Sequence, residues 1–424
     1  MTLQNIGVII VGGGITGISF GRLLQLGGFE DFLILEKEET AGGLCQSQCI
    51  KGHVLDLGGG HLLCSRHPEV YDFIFAHIPA DEFHTFERVS KIAFDNETVD
   101  YPIEYNLWQL PLEKRVDYLT SCMQAARTAE APENFEDWVR WKLGDAIADK
   151  YMIPYNRKVW GVEPNELDTD WLQKIPHHDT RLIVKTCLMG QGDQSVLPSH
   201  QTFMYPKRGG FQRIFDAIHD PVQRHVRLSN PLINLRRTGD HWVVNESYRT
   251  KLVINTIPWG VLHSATHSPP QVSDEVARLR TSGLVVTLHE EAYDHDCHWT
   301  YVASPGQPHH REFYINNFAP HSEPNGIFRE TNIKRFGGAP DALAVHINEH
   351  AYPIPLKGHS EAARQVWTAY ANIGVIGVGR WGQHRYYNSD VCIREAMRTA
   401  QELLTRGMTL RAGEAISYGS SGLV

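Results

Sequence analysis

The chain has 424 residues, with 40 Lys plus Arg against 49 Asp plus Glu, a formal net charge of −9. That length calls for two or three domains, and an acidic balance with no basic run argues against a nucleic-acid surface. No apolar stretch approaches the roughly 18–20 residues that span a bilayer, and the start lacks the pattern of a secretory signal, so no membrane partner and a cytoplasmic location are expected.

Residues 6–11 form a short apolar run rich in β-branched side chains, which predicts a buried strand. Gly12-Gly13-Gly14-Ile15-Thr16-Gly17 follows, and Ile15–Leu26 carries apolar residues at helical spacing until Gly27-Gly28 ends it. Phe32–Leu35 predicts a second strand, ending at Glu36, 24 residues after Gly12. In this strand–turn–helix–strand order each glycine has a task. Gly12 permits the tight turn, Gly14 lets a pyrophosphate approach the backbone, and Gly17 lets the helix pack on the strand. The helix N-terminus, with its unpaired N–H groups, favours the phosphates, and Glu36 accepts from ribose hydroxyls. The alternative for the hexapeptide is a tight turn without a nucleotide.

Glu36-Lys37 is followed by Thr40-Ala41-Gly42-Gly43-Leu44. A second glycine pair just past the ribose acid is what FAD enzymes of the glutathione-reductase-like (GR2) class show, so FAD rather than NAD is expected. A third glycine turn comes at Asp56-Leu57-Gly58-Gly59-Gly60-His61. Residues 105–195 are mostly helical, with long patterns over 112–128 and 135–151 and a cluster of Trp138, Trp141, Trp160 and Trp171. From about 225 short alternating segments predict strands, among them 241–245 and 251–256. Residues 282–350 are β-rich, and 389–407 form a last helix. Seven irregularly spaced cysteines fit reduced thiols. Cys45 with Cys49, and His295 with Cys297 and His298, lack the second pair of a structural zinc site, so no metal is expected.

Further motifs run almost end to end: Tyr101-Pro102-Ile103 with Asn106-Leu107 and Leu110-Pro111; Asn134-Phe135-Glu136-Asp137-Trp138; and Pro154-Tyr155-Asn156-Arg157-Lys158-Val159-Trp160. Tyr205-Pro206-Lys207-Arg208-Gly209-Gly210, Tyr352-Pro353-Ile354-Pro355, and Gly379-Arg380-Trp381-Gly382 with Tyr386, Asn388 and Asp390 complete the set. With the His61 turn, they resemble the UDP-galactopyranose mutase branch of the flavin amine oxidase-like proteins, in particular its eukaryotic-type members.

The resemblance implies an α/β fold: a Rossmann-like, GR2-type FAD domain (1–65, 203–260 and 370–424), an inserted helical domain (105–200) and a β-sheet substrate domain (66–104 and 261–369). The small-molecule substrate would lie between them. It implies cofactor contacts from Gly12, Gly14, Ile15, Thr16, Gly17, Glu36, Lys37, Gly43, Leu44, Gly60, His61, Gly209, Gly379, Arg380 and Asn388. His61, Arg208 and Tyr386 would be catalytic, and Tyr155, Trp160, Tyr314, Asn317 and Tyr386 would meet the substrate. For His61 the alternative is a histidine capping its own turn; for Arg208 it is a surface salt bridge. In such mutases reduced flavin N5 attacks the sugar anomeric carbon, and ring opening and reclosure interconvert pyranose and furanose. NAD(P)H is a candidate reductant.

Two departures bear on the substrate. The mutases hold the substrate diphosphate with two arginines, one just after a Trp-Leu pair and one after a Phe-Tyr pair. Here Trp171-Leu172 runs into Gln173-Lys174-Ile175, and Phe313-Tyr314 into Ile315-Asn316-Asn317. Lys174, Arg181 or Arg311 could compensate, although a point charge is no bidentate fork. A sugar or sugar-nucleotide mutase with altered phosphate recognition is the first expectation. The second is an oxidoreductase of the amine-oxidase type acting on an amine, sugar or natural-product intermediate, with Trp160, Trp259 or Trp381 caging a neutral amine. The third is a flavin-binding protein without turnover.

Overall fold

The computed structural model describes residues 3–125, 130–172, 179–193 and 201–408. Its centre is a five-stranded parallel sheet in the order Val226–Arg227, Phe32–Leu35, Val8–Val11, Leu252–Asn255, Val375–Gly377. Every residue of the inner strands is buried, as a parallel sheet covered on both faces requires. The helix Ile15–Leu26 packs against the last helix, Ser389–Thr405, on one face. On the other face the helix His359–Ala371 buries Ala362, Ala363, Val366 and Tyr370 with Val11, Leu35 and Val253. That helix was expected among the β-sheet substrate residues; its apolar stripe faces the parallel sheet instead.

A second sheet has seven strands, in the order Ala344–Pro353, Thr281–Glu290, Gly326–Asn332, Arg311–Tyr314, Trp299–Val302, Ser90–Phe94, Glu97–Asp100. It is antiparallel except where Trp299–Val302 lies parallel to Ser90–Phe94. The helical region packs against the seven-stranded sheet through Ile153–Trp160 and Gly326–Asn332. The helix expected over 135–151 stops at Leu143, because Gly144 has φ 82° and a side chain there would meet the Ser121 carbonyl at 2.4 Å. The chain resumes at Asp145 and passes through a π turn, Ala148–Met152, before Ile153–Trp160. Pro154 has no N–H for the carbonyl one helical turn back, and a π turn is one way to accommodate that loss. It turns Tyr151, Met152, Tyr155 and Asn156 toward a common space.

Candidate active site

The first glycine turn is built as a phosphate cradle. Gly12 has φ 105°, closed to other residues without strain. A Cβ on Gly17 would fall 2.0 Å from the Gly12 carbonyl, so the helix can lie this close only on glycine. At Gly14 the opposite holds: nothing lies within 4 Å of where a Cβ would point. That open space sits at the N-terminus of a 12-residue helix with no side-chain cap, where the free N–H groups attract an anion. Glu36, 7% exposed, accepts from the Gly13 N–H at 2.8 Å and the Glu38 N–H at 2.9 Å. Gly42 N–H donates to the Gly13 carbonyl at 3.0 Å, bringing Gly43 against Gly14. Gly379 closes on Thr16 from the other side. Lys37 points outward and pairs with Glu38. These residues fit a dinucleotide pyrophosphate.

The third glycine turn opens onto a cavity of about 330 Å³. Gly58, Gly60, His61, Arg380, Asn388 and Ser389 line it from the nucleotide-binding side. The seven-stranded sheet adds Trp299, Tyr301, Arg311, Phe313 and Tyr352, and the helical region adds Leu143, Tyr151, Met152, Tyr155, Asn156 and Trp171. Strand pairing explains the sheet's share: Trp299 lies opposite Phe313, Tyr301 opposite Arg311 and Arg311 opposite Glu330, so these residues face one side together.

His61 Nδ1 lies 2.8 Å from the Gly59 carbonyl. A carbonyl only accepts, so Nδ1 carries the proton and Nε2 keeps its lone pair. Burial, with Arg380 nearby, lowers the His61 pKa to about 4, so the ring is neutral at pH 7. It both braces its own turn and lines the cavity. His61→Ala is expected to stay folded and yellow with altered turnover or flavin potential; failure to fold, seen by circular dichroism, would assign His61 to the turn alone.

Among the described residues three guanidinium groups line the cavity. Arg311 donates Nε to Glu330 at 2.7 Å and Nη2 to the Tyr352 hydroxyl at 3.1 Å. Arg380 donates to the Tyr387 and Ala351 carbonyls. Arg88 lies 4.0 Å over the Tyr101 ring and donates to the Tyr301 hydroxyl at 3.0 Å. Arg88 escaped the sequence reading, since it lies outside every motif, two residues before the strand Ser90–Phe94. Glu330, fully buried, also accepts from the Gly60 N–H at 2.8 Å, joining the His61 turn to Arg311.

Tyr155 and Tyr386 line the cavity. Trp160 stands directly behind the wall, edge-on to Tyr386 at 5.4 Å and Trp171 at 5.3 Å. Other expected positions lie elsewhere. Tyr314 alternates to the opposite sheet face, beside Cys297 and Ile327, and Asn317 donates to the His295 and Cys297 carbonyls. Arg208 is exposed and does not line the cavity; Gly210, two residues on, packs against Ser47 and Asp56, and Asp56 also accepts from the Tyr205 hydroxyl. Trp259 donates to the Gly382 carbonyl in the other core, and Trp381 packs by His350, so neither cages the cavity. Ile315 is fully buried; the sheet sends Arg311, not residue 315, into the cavity. Arg181 is exposed, and Lys174 lies outside the described residues. Among the described residues no group of three or more metal-ligating side chains converges, and no helix is long and apolar enough to cross a membrane.

The Rossmann cradle and the walled cavity beside the third glycine turn share the fold of flavin-dependent enzymes. A family model described as an NAD(P)-binding Rossmann-like domain matches residues 10–75. The chain is similar to a dTDP-fucopyranose mutase of Escherichia coli, 21% identical over 412 residues, covering 93% of this chain and 97% of the relative. The crystal structure of reduced UDP-galactopyranose mutase superimposes with a TM-score of 0.85 at 22% identity, covering 96% of this chain and 97% of that one. Putrescine oxidase bound to putrescine gives 0.62 at 14%, over 96% of this chain and all of that one. The resemblance to the mutase branch thus spans nearly the whole chain.

Proposed function

We propose that the chain is an FAD-dependent mutase acting on a sugar nucleotide, interconverting pyranose and furanose forms. The observation that carries this reading is the cavity: three arginines set among tyrosines, beside the glycine turn where a flavin ring would lie. A substrate anion suits such a space, whereas an ammonium substrate would meet like charge. Reduced FAD, when bound, supplies a nucleophilic N5. The chain's own residues do the rest. Gly14 and the first helix hold the pyrophosphate, and neutral His61 faces the reacting end with a lone pair on Nε2. Arg311, whose Nε and Nη2 are held by Glu330 and Tyr352, offers its Nη1 N–H groups to the substrate diphosphate. This assigns to Arg311 the role that the sequence after Phe313-Tyr314 leaves open.

The test is anaerobic. With UDP-galactose as probe, turnover is expected only after dithionite has reduced the flavin. UDP should perturb the flavin spectrum, and Arg311→Lys should weaken UDP about tenfold or more while retaining FAD, since one charge-assisted contact is worth roughly 1.5–3 kcal/mol. Direct bleaching of oxidised flavin by an amine or alcohol would replace the mutase by the oxidoreductase.

A further inference from the structure

The helix Ile153–Trp160 and the hairpin of Trp299–Val302 with Arg311–Tyr314 meet at one buried ammonium. Lys158 is 2% exposed, yet its Nζ donates to the Val302 carbonyl at 3.0 Å, the Ser304 carbonyl at 2.7 Å and the His309 carbonyl at 3.2 Å. A lysine ammonium has three N–H donors and no acceptor, so donors and carbonyls match in number. The carbonyls come from both arms of the hairpin: Val302 ends one strand, and His309 stands two residues before Arg311. Both elements also furnish the cavity wall. Tyr155 and Asn156 line it from the helix, Tyr301 and Arg311 from the hairpin, and Tyr155 meets Tyr301 edge-on at 5.6 Å.

We propose that Lys158 is a positioning residue for the sugar-nucleotide reaction above, on which this rests: its ammonium pins the hairpin to the helix and so fixes Arg311 and Tyr301 against Tyr155 for the substrate diphosphate. A buried charge is costly unless its hydrogen bonds are made, and these join segments 144 to 151 residues apart in sequence. Deprotonation would leave two N–H donors for three carbonyls and turn a lone pair toward the third. Burial lowers the Lys158 pKa to about 8, with Arg335 adding to the shift. The pin is therefore charged at pH 7 and largely neutral at pH 9. Arg335 is the charged side chain acting on it. On its own helix Arg157 pairs with Glu163 at 2.8 Å, and Tyr155 stays neutral because burial raises its pKa. On the hairpin the His309 ring lies 3.1 Å from Glu312 and the His310 ring 3.3 Å from Glu330.

The experiment follows UDP binding to the FAD-loaded enzyme by flavin absorbance at pH 7 and pH 9, beside turnover of UDP-galactose by the dithionite-reduced enzyme. The UDP phosphates are ionised across this range, and His61, at about 4, is neutral across it. The wild type should bind UDP about threefold to tenfold more weakly at pH 9, the effect of one lost hydrogen bond. Lys158→Met should bind UDP at pH 7 as weakly as the wild type does at pH 9, and should lose the weakening between the two. It should keep its FAD and raise KM for UDP-galactose more than it lowers kcat. Glu104 also lines the cavity, and burial raises its carboxyl to about 7; its titration persists in Lys158→Met and is thereby told apart. Lys158→Gln, uncharged with two N–H donors, serves as a second variant should the first fail to fold. A wild type equally tight at both pH values would overturn the inference. So would a variant that loses stability but binds UDP at pH 7 as the wild type does, or one that keeps the whole wild-type weakening. A wild type that binds no UDP at either pH would overturn the sugar-nucleotide reading itself.

Discussion

Gly14→Val is expected to give a folded but colourless protein. Two observations separate its effect on the cofactor from its effect on the fold. Gly14 has φ −76° and ψ −178°, an extended backbone that valine adopts readily. A Cβ there meets no atom within 4 Å, so the fold has no steric reason to resist it. The same space is where the pyrophosphate must approach the helix N-terminus, and a branched side chain fills it. Gly17→Val is the contrast: its Cβ would lie 2.0 Å from a backbone carbonyl, so the helix must shift and stability should fall with flavin. Glu36→Ala is intermediate, removing both the ribose acceptor and the brace on Gly13, and should weaken FAD about tenfold. The ratio of flavin to protein absorbance, beside a thermal melt of each apoprotein, reads all three. A yellow Gly14→Val with normal FAD content would refute the cradle.

The cradle was legible in the sequence because its chemistry is local. Strand, turn, helix and acid occupy 6–36 without a gap, and the structure returns the helix Ile15–Leu26 and the strand Phe32–Leu35 at the expected bounds. The cavity was less legible because strand pairing builds it from distant segments. The resemblance implied Tyr314 and Asn317 at the substrate, yet alternation along the strand turns Tyr314 to the opposite face. The same alternation brings Arg311 inward, a choice that neighbouring residues in sequence cannot reveal. Glu330 had no motif of its own; only its place opposite Arg311 on the paired strand makes it a partner. The break at Gly144 had a local signal, a glycine just past the last helical residue; its close approach to the Ser121 carbonyl is tertiary.

Glu330→Ala should be among the most destabilising single changes near the site. Glu330 accepts from Arg311 Nε at 2.7 Å and from the Gly60 N–H at 2.8 Å, with His310 at 3.3 Å off the line of a good hydrogen bond. Burial alone would raise its pKa, but Arg311, His310 and the Gly60 N–H overcome that and hold it at about 2. Because the folded value lies below the unfolded one, near 4.5, the carboxylate's stabilisation is present above pH 4.5 and lost as pH falls toward 2. Removing it leaves the largely buried Arg311 guanidinium without its counter-charge and the Gly60 N–H unpaired, a loss of roughly 3–5 kcal/mol in denaturant melts at pH 7. Glu330→Gln keeps an acceptor for Gly60 and should lose less. Adding Arg311→Met to Glu330→Gln should recover much of the stability, because an apolar replacement removes the uncompensated charge. That double variant should still bind FAD and no longer bind UDP, separating the pair's part in the fold from its part in recognition. A loss below about 1 kcal/mol for Glu330→Ala, the level of an exposed ion pair, would show that water reaches Arg311 through the cavity and that Glu330 does not hold it in place.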